Sequence, residues 1–431
     1  MMFAFNNLLY LVALFIFGIL ISIIIIPSRK KTKINVLTIF IISFLGRSSL
    51  IFINESLDIL PSREAGNMAL NIFNSAYLPN NAFFFINDDF GIQVLLNIPA
   101  FALFGANRIN LLLTNAFLAS LVGIIAFSYL YYCYTLKGAY FSLILITIFP
   151  ASIIYSIFGL RDPVIYFFSV IYICSLIFLV KNNRVTSKFW MYNLLILFLS
   201  LFAIFSLRIS LFPLALTIPL LYSARYLYGK LKKVRNRATQ GLIFMLFIFL
   251  NIGILLGPGI KIYSLALSGM GVSKTVSPLQ LSEVYAEQRY ERHAGEEGGG
   301  SHILPPSIYN NTNALTRIPI QTIGLIWLPV PWLLTSPTRI LAFIDSLVIM
   351  YCLLIVYKYR KFSRNWPTSD RILWWFIFIA FVVAILGLGL IVSNAGNAFR
   401  MRLAVAPYLL IPTAIMLGNL NNRKRRKPID P

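Results

Sequence analysis

Arg161 and Asp162 stand side by side between two long apolar runs, in the stretch PASIIYSIFGLRDPVIYFFSVIY. Charge next to hydrocarbon is costly, so such residues tend to line a wet cavity, pair with each other or contact a charged ligand. A carboxylate in this position can act as a general base or bind a divalent cation. Asp before Pro163 is also typical of a helix start, with Asp162 as N-cap and in a salt bridge with Arg161.

Further carboxylates follow the second apolar run of the chain. Asp58 and Glu64 lie there, a few residues after Glu55. Together with Asp162 they form the best set for removing a proton from a sugar hydroxyl, or for holding Mg²⁺ or Mn²⁺ by oxygen ligands. The alternative is a solvated acidic loop that balances nearby arginines. The candidate catalytic residues are Asp58, Glu64 and Asp162, and no metal ligands are singled out.

Arginines recur at the same ends of the apolar runs as these acids. A guanidinium fork suits a phosphate diester or pyrophosphate, which membranes supply as polyprenyl-linked sugars. His293 shares a predicted helical face with two arginines and could carry a proton. Alternatively, each arginine caps a helix, reaches to headgroups or pairs with an acid. As a group we predict that they bind substrate: Arg63, Arg161, Arg208, Arg289, Arg292, His293, Arg400 and Arg402.

The composition indicates an integral membrane protein. Of 431 residues, 58% are hydrophobic and 12% charged, with a mean hydropathy of +0.79, outside the usual range of soluble domains. Backbone groups in lipid must pair within their own segment, so the predicted fold is an all-α, polytopic transmembrane helical bundle. The net charge of +23 does not indicate binding to nucleic acid, because the basic residues lie between the apolar runs and not on one soluble face. The three widely spaced cysteines predict no disulfide framework or zinc site.

We predict a single membrane domain, 1–431, with about 11 spans and two large outer loops, 54–108 and 258–337, that contain interfacial helices. Most of the 37 basic residues fall on one side of this arrangement and most of the 14 acids on the other. The positive-inside rule then puts the N-terminus outside and the C-terminus in the cytoplasm. No matching interrupted helices are visible in two halves of the chain, which disfavours a transporter. The predicted spans are 8–26, 35–53, 109–132, 139–157, 164–180, 189–207, 210–226, 241–257, 338–357, 372–392 and 403–420.

Residues 50–180 resemble the membrane glycosyltransferases of the GT-C superfamily in layout. The stretches SLDILPSREAGNMA, IPAFALFGANRINLLLTN, YLYYCYTLKGAYFSLILITIFPASIIYS and FGLRDP follow one another in the order typical of those enzymes. The resemblance implies that Asp58 or Glu64 is the first-loop carboxylate and Asp162 the second-loop carboxylate. The chain lacks the usual Asp-Glu pair followed by tyrosine and has one extra helix ahead of the first loop. Which acid is the base therefore stays open.

The resemblance implies an inverting glycosyltransferase of bacterial surface-polysaccharide biosynthesis, at the outer face of the inner (cytoplasmic) membrane. Its expected partners are a polyprenyl-linked sugar donor, a glycan or lipid acceptor and membrane lipids, with no nucleic acid. A divalent cation, Mg²⁺ or Mn²⁺, is the cofactor considered. An O-antigen-type polymerase that relies on Arg289, Arg292, Arg400 and Arg402 is an alternative. A lipid-linked glycan transporter is an alternative of another class.

Overall fold

The structure, a computed structural model, describes residues 2–26, 30–57, 91–181, 188–207, 314–329, 337–366, 368–391 and 395–420. Within these ranges the chain is helical apart from short turns and contains no strand. The predicted all-α class is confirmed. The helices are numbered α1 to α13 in chain order over the described residues.

Eight helices lie in the described part of the first half of the chain. Two of their starts show why they begin where they do. The side chain of Asn107 accepts a hydrogen bond from the N–H of Asn110, and that of Thr135 accepts one from Gly138. The helices are α1 Met2–Ile25, α2 Lys30–Leu57, α3 Gly91–Phe104, α4 Arg108–Cys133, α5 Leu136–Thr147, α6 Pro150–Ile157, α7 Asp162–Lys181 and α8 Lys188–Leu207.

Five α-helices and one short 3₁₀ helix lie in the described part of the second half. They are α9 Ala314–Trp327, α10 Pro337–Tyr359, the 3₁₀ helix Arg360–Asn365, α11 Thr368–Ile391, α12 Ala395–Val405 and α13 Pro407–Leu420. The helices α3 and α9 fall in the two predicted outer loops. Helix α3 packs on α4, and α9 packs on α11. Both short helices are therefore attached to the bundle.

Six helices in the described ranges are long and apolar enough to cross a membrane, and up to eight spans result if each of two bent helix pairs is one span. The chain is thus a helical membrane protein. The predicted number of about 11 spans is not confirmed. The predicted spans 210–226 and 241–257 lie outside the described residues, as does most of the predicted loop 258–337.

Two predicted spans are bent rather than continuous. The predicted span 139–157 is the pair α5–α6, which is bent by 43°, and the predicted span 403–420 lies within the pair α12–α13, which is bent by 51°. The second helix of each pair begins with a proline, Pro150 or Pro407. Proline lacks the N–H that would continue the hydrogen-bond ladder, and it disfavours helical backbone in the residue before it. The sequence predicted both stretches as continuous spans.

Helix α4 forms the centre of the bundle. In an apolar 18-residue stretch of α4, 94% of the residues are buried, whereas in a stretch of the same length in α1, at the periphery, only 17% are buried. The two bent pairs pack against each other, α5 on α13 and α6 on α12. The backbones of α5 and α13 approach closely at Gly138 and Gly418, where neither residue has a side chain to separate them. Glycine at both positions permits this contact.

Candidate functional site

Asp162 and Arg400 form an ion pair between the start of α7 and helix α12. The Nε atom of Arg400 donates to Oδ2 of Asp162 over 2.6 Å. The Asp162 side chain is fully buried, whereas that of Arg400 is 27% exposed. Since a charge-assisted bond of this length is among the stronger protein hydrogen bonds, it fixes the guanidinium on the carboxylate. Asp162, a predicted catalytic carboxylate, is therefore covered by an arginine from a distant part of the chain.

Helix α7 starts one residue earlier than predicted. The carbonyl oxygen of Arg161 accepts the N–H groups of Val164 and Ile165, at 3.0 and 3.1 Å. Arg161 therefore occupies the N-cap position and Asp162 is the first helical residue. A carboxylate in the first turn is favourable because the N-terminus of a helix carries a partial positive charge.

The terminal nitrogens of Arg400 differ from its Nε atom in their contacts. Among the described residues, the structure records a protein partner for its Nε atom alone. The rest of the fork lies on a partly exposed side chain. When a carboxylate binds only the Nε atom of a guanidinium, the two terminal NH₂ groups can donate hydrogen bonds to an anion, and the carboxylate fixes their orientation.

Two buried amides hold the turn that leads into Arg161 and Asp162. The Nε2 atom of Gln93, on α3, donates to the carbonyls of Gly159 and Leu160 at 3.2 and 3.3 Å. The Nδ2 atom of Asn115, on α4, donates to the same Leu160 carbonyl at 3.0 Å. Gly159 has a φ of +70°, which favours glycine. The sequence interpretation did not consider these amides, although polar amides inside apolar helices were a usable signal.

A second ion pair, Asp345 with Arg402, is completely buried. The Nη1 atom of Arg402 lies 3.3 Å from Oδ2 of Asp345, and neither side chain is exposed. Arg402 also donates to the carbonyls of Leu328 and Ala342 and to the hydroxyl of Ser346. These contacts join α10, α12 and the end of α9. Arg402, which was predicted to bind substrate, thus directs these donors into the protein interior.

Charged side chains occupy both sides of the break in the α5–α6 pair. Arg47, buried in α2, donates from Nη2 to the carbonyl of Thr147, the last residue of α5, at 2.8 Å, and to the hydroxyl of Ser152 at 3.1 Å. On the other side, Oδ1 of Asp345 accepts the N–H of Ala151, at the start of α6, at 3.3 Å. The cation thus lies at the helix C-terminus and the carboxylate at the helix N-terminus. Both positions match the helix dipoles and satisfy backbone groups freed by the break.

Tyr155 lies near both ion pairs. Its phenol, on α6, lies within electrostatic range of Asp162, Arg400, Asp345 and Arg402. Its ring centroid is 5.2 Å from that of Phe399 on α12. We refer to Asp162, Arg400, Asp345, Arg402 and Tyr155 as the double ion-pair cluster. Two cations and two carboxylates from three helices thus meet where the bent pairs contact each other.

The remaining predicted site residues lie outside the described residues. These are Asp58, Arg63, Glu64, Arg208, Arg289, Arg292 and His293. Helix α2 ends at Leu57, one residue before Asp58, and there Glu55 pairs with Arg108 at the start of α4 over 3.3 Å. Within the described ranges, no group of three or more His, Cys, Asp or Glu side chains could hold a metal ion.

Fold and site together define a helical membrane protein in which two ion pairs lie beside two bent helix pairs that pack against each other. Comparisons of the chain with family models, with curated proteins and with solved structures each found no match.

Proposed function

We propose that this protein is a membrane glycosyltransferase that takes a sugar from a polyprenyl-phosphate donor, and that Arg400 binds the donor phosphate. The observation that carries the proposal is the Asp162–Arg400 pair. Its buried carboxylate fixes Nε at 2.6 Å, while the arginine side chain stays 27% exposed, and its terminal nitrogens have no recorded partner among the described residues. Such a fork can bind the phosphate before reaction and neutralise the charge that develops as it leaves.

The two kinds of carboxylate take different roles in this proposal. Asp162 is fully buried and bound by Arg400, so it positions the arginine and does not meet the acceptor directly. Asp58 or Glu64 takes the proton of the acceptor hydroxyl. The acceptor oxygen then forms a bond to the anomeric carbon, and the bond from that carbon to the phosphate oxygen breaks. The products are an inverted glycoside and polyprenyl phosphate, whose charge Arg400 and Arg161 stabilise.

The sequence charge pattern supports a site at the outer face of a bacterial cytoplasmic membrane. Basic residues concentrate in the connectors on the opposite side, including KLKKVRNR and NNRKRRK. Polyprenyl phosphates carry an apolar tail and an anionic head. A lipid-embedded bundle with an arginine at one end of its helices fits both parts.

Binding of the donor head group can be measured on the purified, detergent-solubilised full chain. Polyprenyl phosphate and the uncharged polyprenol serve as probes, with tryptophan fluorescence as the signal. We expect polyprenyl phosphate to bind more tightly by tenfold or more, and Arg400→Gln to abolish that preference. The control is Lys361→Gln, which removes an exposed cation that is not part of the double ion-pair cluster. This variant should keep the preference for polyprenyl phosphate.

Transfer itself is tested with labelled polyprenyl-phosphate hexose and membranes that contain the chain, and by the surface-glycan profile of cells that lack the gene. We expect Asp58→Asn or Glu64→Gln to abolish formation of labelled glycoside and Asp162→Asn to weaken it strongly. Full activity of all three variants would refute a carboxylate mechanism. Equal binding of phosphate and alcohol probes by the unaltered protein would refute the role of Arg400.

The polymerase alternative is weaker, because it relies on four arginines that include Arg402. This side chain is fully buried and bound by Asp345, two carbonyls and a serine. Substitution of Arg289 and Arg292 tests this alternative. If the variant still transfers a single sugar but no longer lengthens glycan chains, the polymerase alternative is supported.

A transporter of lipid-linked glycans is the second candidate, and the two bent helix pairs favour it. Many transporters place their substrate or ion sites at interrupted helices near the middle of the membrane. Here the bends are 43° and 51°, and charged groups lie at one of the breaks. Movement of a fluorescent lipid-linked sugar between the leaflets of reconstituted vesicles, without a new glycosidic bond, would support this candidate over transfer.

A further inference from the structure

We infer that Asp345 is a proton-binding site that couples the two bent helix pairs. The site lies inside the bundle, and its ligand is a single proton from water. The inference holds whether the protein transfers or transports a sugar, because it rests on different residues from those that would bind the donor.

The position of Asp345 is the first reason. It lies within the candidate membrane span Arg339–Tyr359, and its side chain has no exposure to solvent. Ionisable side chains within membrane spans are costly, and they commonly serve proton or ion movement or a charged ligand. The donor site proposed above makes no use of this carboxylate.

The second reason is the contrast between the two buried carboxylates. Asp162 receives Nε of its arginine at 2.6 Å, whereas Oδ2 of Asp345 has an ion-pair contact at 3.3 Å and no hydrogen bond among the described residues. The Asp345 carboxylate is therefore less well stabilised as an anion. A proton on Oδ2 removes a buried negative charge without breaking a hydrogen bond at that atom.

The third reason is that Arg402 does not depend on Asp345 alone. Its guanidinium donates to the carbonyls of Leu328 and Ala342 and to Ser346. When Asp345 takes a proton, the carboxylate becomes a neutral carboxylic acid and the pair gains one positive charge. The carbonyl dipoles remain to stabilise that charge.

The surroundings of Asp345 place this proton between the bent pairs. Among the described residues, Arg402 from α12 contacts Asp345, and Tyr155 from α6 and Tyr166 from α7 lie within electrostatic range of it. The carboxylate also accepts the N–H of Ala151 at the start of α6. Protonation weakens its hold on both α6 and α12. Because α12 carries Arg400 and α6 leads into the turn before Asp162, the proton controls the geometry of the Asp162–Arg400 pair.

Infrared difference spectroscopy tests this inference on the full chain in phosphatidylcholine vesicles. Carbon-13 aspartate separates the aspartic acid carbonyl band from those of lipid esters and glutamates. Spectra are compared between about pH 8 and about pH 5, the range above the ordinary titration of exposed aspartates. We expect a protonated aspartate band to appear as the pH falls. Asp345→Asn should remove it, and Asp162→Asn, at an equally buried aspartate, should retain it.

Two results would overturn the inference: no such band in the unaltered protein, or the same band in Asp345→Asn. Ser346→Ala decides the question if Asp345→Asn does not fold. It removes a hydroxyl that competes for Arg402, so the guanidinium should bind Asp345 more tightly and the band should appear at lower pH. An unchanged or higher midpoint in Ser346→Ala would also contradict the inference.

Discussion

The Nε atom of Arg400 lies 2.6 Å from Oδ2 of Asp162, although 238 positions separate the two residues in the chain. The bond ties helix α12, from one bent pair, to the start of α7, which directly follows the other bent pair. The arginine is partly exposed and the aspartate is not. Because of this asymmetry, removal of the arginine and removal of the aspartate charge should lower the stability of the protein by different amounts.

Removal of Arg400 should destabilise the protein more than removal of the Asp162 charge. Arg400→Gln removes the cation that lies 2.6 Å from a fully buried carboxylate, and breaking a buried ion pair in this way typically costs about 3–5 kcal/mol. Asp162→Asn leaves a partly exposed guanidinium that can turn towards water, so the loss should be smaller. Thermal unfolding in detergent, followed by tryptophan fluorescence, measures both. The free energy of unfolding of Lys361→Gln should be within about 0.5 kcal/mol of that of the unaltered protein. A larger loss of stability for Asp162→Asn than for Arg400→Gln would contradict the asymmetry.

Gly418→Ala should push α13 away from α5, because these two helices touch at Gly138 and Gly418. An added Cβ at Gly418 would overlap the backbone of Gly138, which cannot move aside as a flexible side chain can. Overpacking of this kind typically costs about 1–3 kcal/mol, and contact with backbone puts this case at the upper end.

Two other glycines provide controls for this substitution. At Gly138 a Cβ would lie 3.2 Å from Oγ1 of Thr135 and 3.5 Å from the carbonyl of Ala414, so Gly138→Ala should cost less. At Gly46 a Cβ would meet nothing within 4 Å, and alanine favours helix by about 1 kcal/mol. Gly46→Ala should therefore leave the melting temperature unchanged or raise it. The expected order fails if Gly46→Ala is as harmful as Gly418→Ala.

Gln93 and Asn115 should control the order of the turn before Asp162. Gln93→Met removes the donor to the carbonyls of Gly159 and Leu160, and Asn115→Leu removes the second donor to the Leu160 carbonyl. Loss of a buried hydrogen bond of this kind costs about 1–3 kcal/mol. Hydrogen exchange by mass spectrometry should show faster exchange across 158–165.

Asn97→Leu is the matched control for the amide variants. Asn97 is fully buried on the same helix as Gln93 but donates to the Gln93 carbonyl at 2.7 Å, within its own helix. Its replacement should leave exchange at 158–165 unchanged. Equal acceleration by all three variants would mean that the amides support helix packing in general and not this turn.

Arg47 should stabilise the break between α5 and α6. Arg47→Met leaves the Thr147 carbonyl and the Ser152 hydroxyl without their buried donor, and we expect a loss of about 1–3 kcal/mol. Arg47→Lys should recover part of it, because the charge remains but the fork does not. The neighbouring Ser48 is equally buried, and its hydroxyl has no partner among the described residues. Ser48→Ala should be neutral in the same thermal assay; a loss as large as that of Arg47→Met would count against a specific role.

The sequence predicted the helical membrane class and the position of several helices closely. The predicted spans 109–132, 164–180 and 189–207 lie within α4, α7 and α8. Apolar runs of this length are visible without knowledge of their neighbours. The helix start near Arg161 was also predicted to within one residue, because Asp followed by Pro marks a first turn by local chemistry.

The breaks at Pro150 and Pro407 were missed because hydropathy is averaged over about twenty residues. A break of one or two residues barely changes such an average when the residues on both sides are apolar. Asp345 was visible as an acid inside a predicted span, but its partners were not. Ala151 lies 194 positions away and Arg402 belongs to another helix. No pattern in one sequence specifies such a pairing.

By itself the sequence determined that this protein is a bundle of apolar helices with cations and carboxylates at their ends, because span length and hydropathy are local properties of the chain. The tertiary structure decided that Asp162 is held by Arg400, that Asp345 is held by Arg402, and that two helix pairs bend and pack against each other beside these charges. Partner choice depends on which helices pack together and which backbone groups each break frees, and both are set only when the whole bundle has formed.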